Sequence, residues 1–520
     1  MRRALAILLV LTALVATQMV AANAEFVTFR RLFGGSNPDI ARGIFVDSNY
    51  IYVVGETGSF GGPTTPNLFL SIFNKADNSH RCSVAVDLGS GYYERGWKVV
   101  AHGSNVYVLG DTNYGSNPPN LLLVKLDSNC NVLGAAAYDI DMLDMPGGLS
   151  ISADGSLLFI AGMSTSGAHL LAVRTSDLSV RWARLFRVAG RDTSALSVAF
   201  SGDKLYVTGW THYSSDFYSS DFDLFVSRFD AATGDHELTK VFETQIEGGV
   251  DVVVTGGKLY VAGIYADPVR NADFLFMRLD PATLNLELAK TIGTSHYDRV
   301  ASLSMVGGLA YGVGMTNAFG PPDPDAVLFA VNPSTGDLSH AFVLARDASD
   351  QNALDSASTG TCLIFTGYSD NWPAYFAILD EVNVGTISFD INSTTPSIAT
   401  PSITRDVLTP TATAFTPTFD TPARNDAFYS WFCPEAFVVS TTTTSTVLTT
   451  STLSTTVTSV VESTTTTTLS TTTTLSTTTT STQYFAEPVT TYVIPLLLAV
   501  IAALLGTSLV LGRRRRSSTF

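Results

Sequence analysis

A repeated segment constrains the fold of this chain more than any other feature. Seven times between residues 25 and 391, an apolar β-type run ends in a glycine, as in NYIYVVGET and GDKLYVTGWT. The seven glycines recur every 47 to 55 residues, at Gly55, Gly110, Gly162, Gly209, Gly263, Gly314 and Gly367. A period of this length, kept over seven copies, indicates a repeat architecture in which each copy is one supersecondary unit.

Each copy also carries fixed side chains around its glycine. Three residues before it stands an aromatic residue in six copies, at Tyr52, Tyr107, Phe159, Tyr206, Tyr260 and Tyr311. A further apolar run follows, bounded in five copies by Asn or Asp seven residues apart, as at Asp223/Asp230 and Asp273/Asp280. An odd separation puts the two ends on opposite strand faces, so these residues are expected to cap turns rather than form carboxylate pairs. The third and seventh copies keep this run as LLAVRTSD and AYFAILDE.

With an approach strand before it and an outer strand such as SVRWARLF after it, each copy holds four short strands. Four strands per unit of about 50 residues are typical of a propeller blade. The sequence therefore predicts an all-β fold, a seven-bladed β-propeller over residues 25–391, followed by a disordered Thr/Ser-rich stalk and one C-terminal transmembrane helix.

The pattern of IYVxGxT followed by DxFLxKLD resembles the SBBP-type β-propeller repeat of exported bacterial and archaeal proteins. The resemblance covers residues 25–391 and implies the propeller fold, whereas its repeat residues are architectural and imply no activity. A propeller on a threonine-rich stalk with a single span and a basic tail is also similar to cell-surface proteins of thermophilic archaea.

Closure of the ring has two solutions in the sequence. The segment 26–33 matches the outer strand at Trp182 and has no inner strands before it, so it can complete the last blade. The segment GTISFDI, residues 385–391, lies where the seventh copy's own outer strand should fall. We favour closure by the N-terminal strand.

The two ends of the chain predict export and anchoring. Residues 1–24 combine Arg2 and Arg3, an apolar core and an Ala22-Asn23-Ala24 cleavage site, which is the pattern of a signal peptide. Residues 490–512 form an apolar span, and the basic tail 513–520 begins with four arginines, which stay cytoplasmic. The expected localisation is the cell membrane, as a single-pass type I protein with an extracellular ectodomain.

Three segments lie between the predicted propeller and the span. Residues 392–426 are rich in Pro and Thr and are expected to form a linker, with the N-glycosylation sequon at Asn392. Residues 427–439 are aromatic and contain Cys433, so they are expected to dock on the propeller. Residues 440–483 are almost wholly Thr and Ser and predict an O-glycosylated stalk.

The four cysteines, Cys82, Cys130, Cys362 and Cys433, all lie in the predicted ectodomain, where disulfides are expected. Four cysteines allow three connectivities. Cys82 and Cys130 follow corresponding turns of the first two copies, so we expect these two to pair, and Cys362 to pair with Cys433.

Charge and motifs limit the classes of function. Without the six arginines of the two ends, 30 − 6 = 24 basic residues face 46 acidic ones, so the ectodomain carries about −22. Such a surface repels phosphate backbones, and nucleic acid is not an expected partner. The seven histidines show no metal-ligand spacing, and no nucleophile elbow or phosphate-binding glycine loop is present. No catalytic residue and no metal ligand is predicted; the string from His296 to Arg299 could belong to a site, and a solvated turn explains it at least as well.

The best candidate for recognition is the segment THYSSDFYSSDFD, residues 211–223, between two strands of the fourth copy. Its aromatic and acidic side chains can stack on sugars or peptides, and its carboxylates can hold Ca²⁺, although D-x-D-x-D spacing is absent. The predicted ligand-binding residues are Tyr213, Asp216, Phe217, Tyr218, Asp221 and Asp223.

Two classes of function are compatible with these features. The first is a non-enzymatic binding, adhesion or envelope-scaffold module that contacts an extracellular glycan or a surface or envelope protein. The second is an ectoenzyme, a hydrolase or lyase acting on polysaccharide. The lack of convergent titratable groups favours the first. No cofactor is expected apart from the Ca²⁺ that the loop carboxylates could hold.

Overall fold

The structure is a computed structural model, and it describes the repeat region almost continuously. The described residues are 28–34, 37–60, 66–89, 91–114, 119–212, 222–243, 247–267, 271–294, 296–318, 324–345 and 351–369, followed by separate strands between 375 and 480. Residues 28–432 form one compact unit. Among the described residues, no helix is long and apolar enough to cross a membrane, and the predicted signal peptide and span lie outside them.

The described residues form strands almost throughout, with a single 3-10 turn at Val188–Gly190. The first strands are β1 Thr28–Gly34, β2 Asp39–Val46, β3 Tyr50–Thr57, β4 Asn67–Asn74, β5 His80–Asp87, β6 Glu94–His102, β7 Asn105–Thr112, β8 Asn120–Asp127, β9 Val132–Asp139, β10 Met145–Ile151, β11 Leu157–Ser164, β12 Gly167–Arg174 and β13 Val180–Arg187. They are followed by β14 Asp192–Ser201, β15 Lys204–His212, β16 Phe222–Asp230, β17 His236–Glu243, β18 Glu247–Thr255, β19 Lys258–Asp267, β20 Asn271–Leu279, β21 Leu286–Gly293, β22 Asp298–Val306, β23 Leu309–Thr316, β24 Asp325–Val331, β25 Leu338–Ala345, β26 Gln351–Ser358 and β27 Leu363–Ser369. The last are β28 Tyr375–Ile378, β29 Asn383–Thr386, β30 Asp390–Ser393, β31 Ser397–Ala399, β32 Thr404–Leu408, β33 Thr411–Ala414, β34 Thr418–Phe419, β35 Asp426–Phe432, β36 Thr442–Leu448 and β37 Thr474–Thr480.

Within residues 28–432 the described strands form seven five-stranded antiparallel sheets. Sheets 1 to 6 each contain four consecutive strands, from β2–β5 in sheet 1 to β22–β25 in sheet 6, and sheet 7 contains β26, β27, β35, β1 and β34. The first strands of neighbouring sheets contact one another in order, and β26 of sheet 7 contacts both β22 and β2. The sheets therefore surround a common axis, and the β-propeller predicted from the sequence is confirmed.

The core lies between neighbouring sheets. One cluster joins Tyr52 and Val54 of sheet 1 to Val106 and Val108 of sheet 2, and another joins sheets 5 and 6 in the same way. All six repeat aromatics are buried, with at most 8% of each residue exposed. Because both faces of each sheet are covered, the strands are apolar along most of their length.

The repeat glycines are explained by a shift of register. In every sheet the first strand has a β-bulge, and the residue just before the bulge pairs with the repeat glycine of the second strand, as in Val300↔Gly314. A Cβ atom on Gly314 would collide with the backbone carbonyl of Arg299, and the other six glycines meet a first-strand carbonyl in the same way. Glycine is therefore required where the bulged strand approaches its neighbour.

The turns between third and fourth strands link each sheet to the next. The Asx residue that ends the third strand caps its turn, as predicted, since Asp230 Oδ1 accepts the N–H groups of Ala232 and Thr233 at 3.0 Å each. A cation of the preceding sheet then donates to a carbonyl in or beside this turn at five successive junctions: Arg81 to Ser128, Lys125 to Thr175, Arg184 to Thr233, Arg228 to Pro281 and Arg278 to Pro333. We call these contacts the turn latches.

The fifth strands come from a single segment that returns around the ring. After β27, the chain adds β28 to sheet 6, β29 to sheet 5, β30 to sheet 4, β31 to sheet 3, β32 to sheet 2, β33 to sheet 1 and β34 to sheet 7. We call residues 375–419 the belt. It ends at β35, which lies between β27 and β1 within sheet 7.

The belt corrects three expectations from the sequence. AYFAILDE is not the third strand of the seventh copy, because β28 pairs with sheet 6 and β35 takes that place. GTISFDI is not an outer strand of sheet 7, because β29 and β30 pair with sheets 5 and 4. Residues 392–426, expected to be a linker, contain β31 to β34.

The N-terminal closure is confirmed, since β1 lies in sheet 7 beside β35. Of the predicted stalk, the structure describes Thr442–Leu448 and Thr474–Thr480, which pair as a two-stranded antiparallel sheet. The remainder of the stalk lies outside the described residues.

Candidate functional site

The loop predicted for recognition is described only at its base. Tyr213, Asp216, Phe217, Tyr218 and Asp221 lie outside the described residues. Asp223 lies in β16, is 2% exposed, and forms an ion pair with the buried Arg191. Arg191 Nη2 also contacts Glu243 Oε1 at 3.0 Å. Asp223 therefore fixes the base of the loop instead of facing a ligand.

Aromatic side chains also fix the base of this loop. His212 stacks on Phe222 with ring centroids 4.4 Å apart, and Trp210 meets Phe222 edge-on at 5.1 Å. The other string singled out in the sequence, His296 to Arg299, leads into β22, which begins at Asp298. Asp298 is buried, and its Oδ2 accepts a hydrogen bond from Thr294 Oγ1 at 2.9 Å.

A second candidate site, which was not predicted from the sequence, lies at the central channel around which the sheets are arranged. It is formed by the bulges of the first strands. The bulged residue of each first strand is partly exposed, and the seven form a ring at one end of the channel: Arg42, Trp97, Gly147, Leu196, Val250, Ala301 and Leu354. We call this ring the channel mouth. It lies toward the face that carries the loops between second and third strands, where the predicted recognition loop also starts.

Polar residues directly follow several of the channel-mouth residues in the first strands, and they form a polar layer. Lys98 Nζ contacts Asp355 Oδ1 at 2.8 Å, which joins sheets 2 and 7. Asp251 accepts hydrogen bonds from Ser197 at 2.7 Å and from Ser302 at 3.0 Å, which joins sheet 5 to sheets 4 and 6. Burial lowers the pKa of Lys98, but attraction to Asp355 and Asp251 outweighs it, so the net pKa is raised and the ammonium stays charged.

The residues around Trp97 form the most polar part of the channel mouth. Arg42 Cζ lies 4.5 Å from the centroid of the Trp97 ring, and Arg95 Cζ lies 5.8 Å from that centroid and 4.7 Å from the Tyr93 ring. Arg42 pairs with Glu56 at 2.7 Å. Arg95 and Trp97 both donate hydrogen bonds to the buried Asp111. We call Arg42, Glu56, Tyr93, Arg95, Trp97 and Asp111 the mouth cluster.

Buried acids accompany this face of the ring. Glu94, at the start of β6, is fully buried, and desolvation raises its pKa to about 8. Desolvation also raises the pKa of Asp144, which lies just before β10, to about 7. Both are protonated more readily in the folded than in the unfolded chain, so their contribution to stability is lost as pH rises from about 4 toward 8.

Among the described residues, no group of three or more His, Cys, Asp or Glu side chains could hold a metal ion. The predicted disulfide between Cys82 and Cys130 is confirmed, with Cα atoms 6.1 Å apart, and it joins sheets 1 and 2. Cys362 is also disulfide-bonded, whereas its predicted partner Cys433 lies outside the described residues. Asn392 lies in β30 of the belt, opposite Val241.

Comparisons with solved structures find matches of low similarity. The Dos1 propeller has a TM-score of 0.41 and 12% identity, with 79% of this chain and 96% of that chain covered. The Pan2 WD40 domain of Neurospora crassa has a TM-score of 0.41 and 10% identity over 64% of this chain and 86% of that one. A putative 6-phosphogluconolactonase from Bacteroides uniformis has a TM-score of 0.40 and 12% identity over 60% and 94%. No family model and no curated protein matches the chain.

Proposed function

We propose that this chain is a non-enzymatic binding, adhesion or scaffold module that presents the channel mouth of a β-propeller to an extracellular glycan or surface protein. Each of the seven sheets serves as one blade. The observation that carries the proposal is the channel mouth itself: seven partly exposed residues, one per sheet, around one opening. Concave sites lined by apolar and aromatic side chains with a few fixed polar groups are typical of binding sites.

The channel mouth has two chemically different sides. Leu196, Val250, Ala301 and Leu354 of sheets 4 to 7 make one side apolar, whereas Arg42 and Trp97 of sheets 1 and 2 belong to the mouth cluster. The polar groups beneath are hydrogen-bonded to one another and do not converge on one open position. This arrangement favours the holding of a ligand over its turnover.

We further propose display at a cell surface. The support is in the sequence: a signal peptide over 1–24, a stalk over 440–483 and an arginine-flanked span over 490–512. Ca²⁺ could occupy the 211–223 loop, and the array described next includes it for that reason. The resemblance to the SBBP-type repeat adds the expectation of an exported protein.

Binding of the full chain to an array of polysaccharides and envelope proteins, with and without Ca²⁺, tests the proposal. We expect retention without turnover, and we expect Leu196→Asp at the channel mouth to weaken retention at least tenfold. Leu133→Asp is the matched control, since Leu133 is 53% exposed and belongs to β9, a fourth strand. Release of cleaved polysaccharide, or equal retention by both variants, would contradict a binding role for the channel mouth and favour the ectoenzyme.

A further inference from the structure

We infer that the mouth cluster, with Tyr92 and Tyr114 beside it, is a subsite for a neutral saccharide. This inference rests on the proposed binding function and names the ligand class for one part of the channel mouth. Tyr92 and Tyr114 are both partly exposed, and their rings lie 5.0 Å apart at an angle of 56°. Tyr92 precedes β6 and Tyr114 follows β7, so with Tyr93 and Trp97 four aromatic residues lie toward the end of sheet 2 that carries the channel mouth.

The cluster departs from the repeat in one place. The position of Trp97 holds Gly147, Leu196, Val250, Ala301 and Leu354 in sheets 3 to 7, and Arg42 in sheet 1. The position of Asp111, next to the repeat glycine, holds Glu56 in sheet 1 but Met163, Trp210, Ile264, Met315 and Tyr368 in sheets 3 to 7. An acidic residue next to the repeat glycine therefore occurs in sheets 1 and 2 alone, paired with Arg42 in sheet 1 and with Arg95 in sheet 2. Since the repeat itself needs neither charge nor tryptophan there, we attribute this chemistry to ligand recognition.

The charges of the cluster balance. Arg42, Arg95 and Lys98 each contact a carboxylate, from Glu56, Asp111 and Asp355 respectively. An anionic or cationic ligand would gain little net Coulomb attraction from three matched pairs. An arginine–carboxylate pair instead presents hydrogen-bond donors and acceptors side by side, and each sugar hydroxyl can both donate and accept.

Aromatic rings supply the other half of saccharide recognition. The C–H faces of a sugar ring pack on the apolar surface of Tyr and Trp, whose polar atoms remain available at the rim. Here the Trp97 ring is already fixed by its hydrogen bond to Asp111 and by the Arg42 guanidinium that lies over it. The main chain at Tyr93 is also fixed, since its backbone N–H donates to Asn113 Oδ1 at 2.7 Å. A surface that is already ordered loses little conformational entropy when a ligand binds.

The test uses the full chain and four sets of immobilised neutral oligosaccharides, namely gluco-, manno-, galacto- and xylo-oligomers, with oligogalacturonate as the charged comparison. We expect at least one neutral set to be retained. Trp97→Ala and the double variant Tyr92→Ala/Tyr114→Ala should each weaken that retention at least tenfold. Tyr50→Ala is the matched control, because the partly exposed Tyr50 begins β3, at the end of sheet 1 away from the channel mouth, and the substitution should change retention less than twofold.

The outcomes separate this inference from the proposed function. Retention of envelope proteins that is sensitive to Leu196→Asp, without retention of any neutral oligosaccharide, overturns the saccharide subsite and leaves the binding function intact. Retention of oligogalacturonate alone, or equal loss in the Trp97 and Tyr50 variants, also overturns it. Because Tyr92 and Tyr114 are partly exposed, their double variant provides a folded protein if Trp97→Ala does not fold.

Discussion

At the scale of single residues, the repeat glycines and His169, which lies opposite one of them, show what the sequence could and could not predict. The sequence predicted that the glycine ends a strand, but its cause, the first-strand bulge, could not be predicted because a register shift leaves no composition signal. His169 faces the glycine of sheet 3, Gly162, from the third strand, where sheets 1 and 4 have Phe69 and Phe225. A polar side chain in this apolar position was not anticipated.

His169 predicts a measurable dependence of stability on pH. It is fully buried, neither ring nitrogen has a hydrogen-bond partner in the described structure, and burial lowers its pKa to about 3. The folded chain binds this proton more weakly than the unfolded chain, whose histidine has a pKa near 6.5, so stability present above pH ~6.5 is lost as pH falls toward 3.

We expect His169→Phe to raise the free energy of unfolding by about 1 kcal/mol at pH 7, because an unsatisfied polar ring is removed. The gain should increase as pH falls from 6.5 to 4.5, since the phenylalanine has no proton to bind. Thermal melts of the full chain at three pH values measure this, with the exposed His102→Gln as control. A gain that is constant with pH would contradict the assignment of acid sensitivity to His169.

At the scale of elements, strands of seven to ten residues were predictable from the sequence and the belt was not. The belt strands β28 to β34 are two to five residues long, too short for alternation of apolar and polar residues to be detected. The prolines in the belt sequence were interpreted as typical of a linker, although the spacing of these prolines matches one short strand per sheet. The turn latches were also missed, because a lone Arg or Lys in a strand does not indicate which carbonyl it reaches.

The latch formed by Arg278 can be tested directly. Its Nη1 donates to Pro333 O at 2.8 Å and to Ser334 O at 2.7 Å, both in the turn of the next sheet. Arg278→Met keeps the apolar stem and removes these donors, and we expect a loss of about 1–2 kcal/mol in the free energy of unfolding. The exposed Arg181→Met in β13 should change stability by less than 0.5 kcal/mol, about the usual effect of a surface substitution. Denaturant unfolding compares the two variants; equal effects would mean that the latch contributes nothing.

At the scale of the whole molecule, the sequence predicted the ring and its N-terminal closing strand, but it placed the end of the folded unit too early. The compact unit extends to Phe432, and its last strand, β35, lies between β27 and β1 instead of at an edge. The aromatic segment that begins at residue 427 was expected to dock on the propeller. It forms most of the central strand of sheet 7, so closure depends on both ends of the unit.

Truncation tests this dependence. A chain ending at residue 374 lacks the belt and β35, so every sheet loses a strand and β1 loses its neighbours. We expect it to aggregate and to be cleaved by protease at least tenfold faster than a chain ending at residue 432, because unpaired edges and an open ring remain. Size-exclusion chromatography and timed proteolysis measure the difference. Equal protease resistance would show that the belt is not needed for closure.

The position of β35 also sets an order of events during synthesis. β1 leaves the ribosome first, but its partner follows about 400 residues later, roughly 20–80 s at typical elongation rates of ~5–20 residues per second. During that interval four strands of each of sheets 1 to 6 can pair as they emerge, while the N-terminal strand must wait without a partner. The ring can therefore close only after the last quarter of the compact unit has been made. A chain of this design gains from machinery that keeps β1 from pairing elsewhere until then.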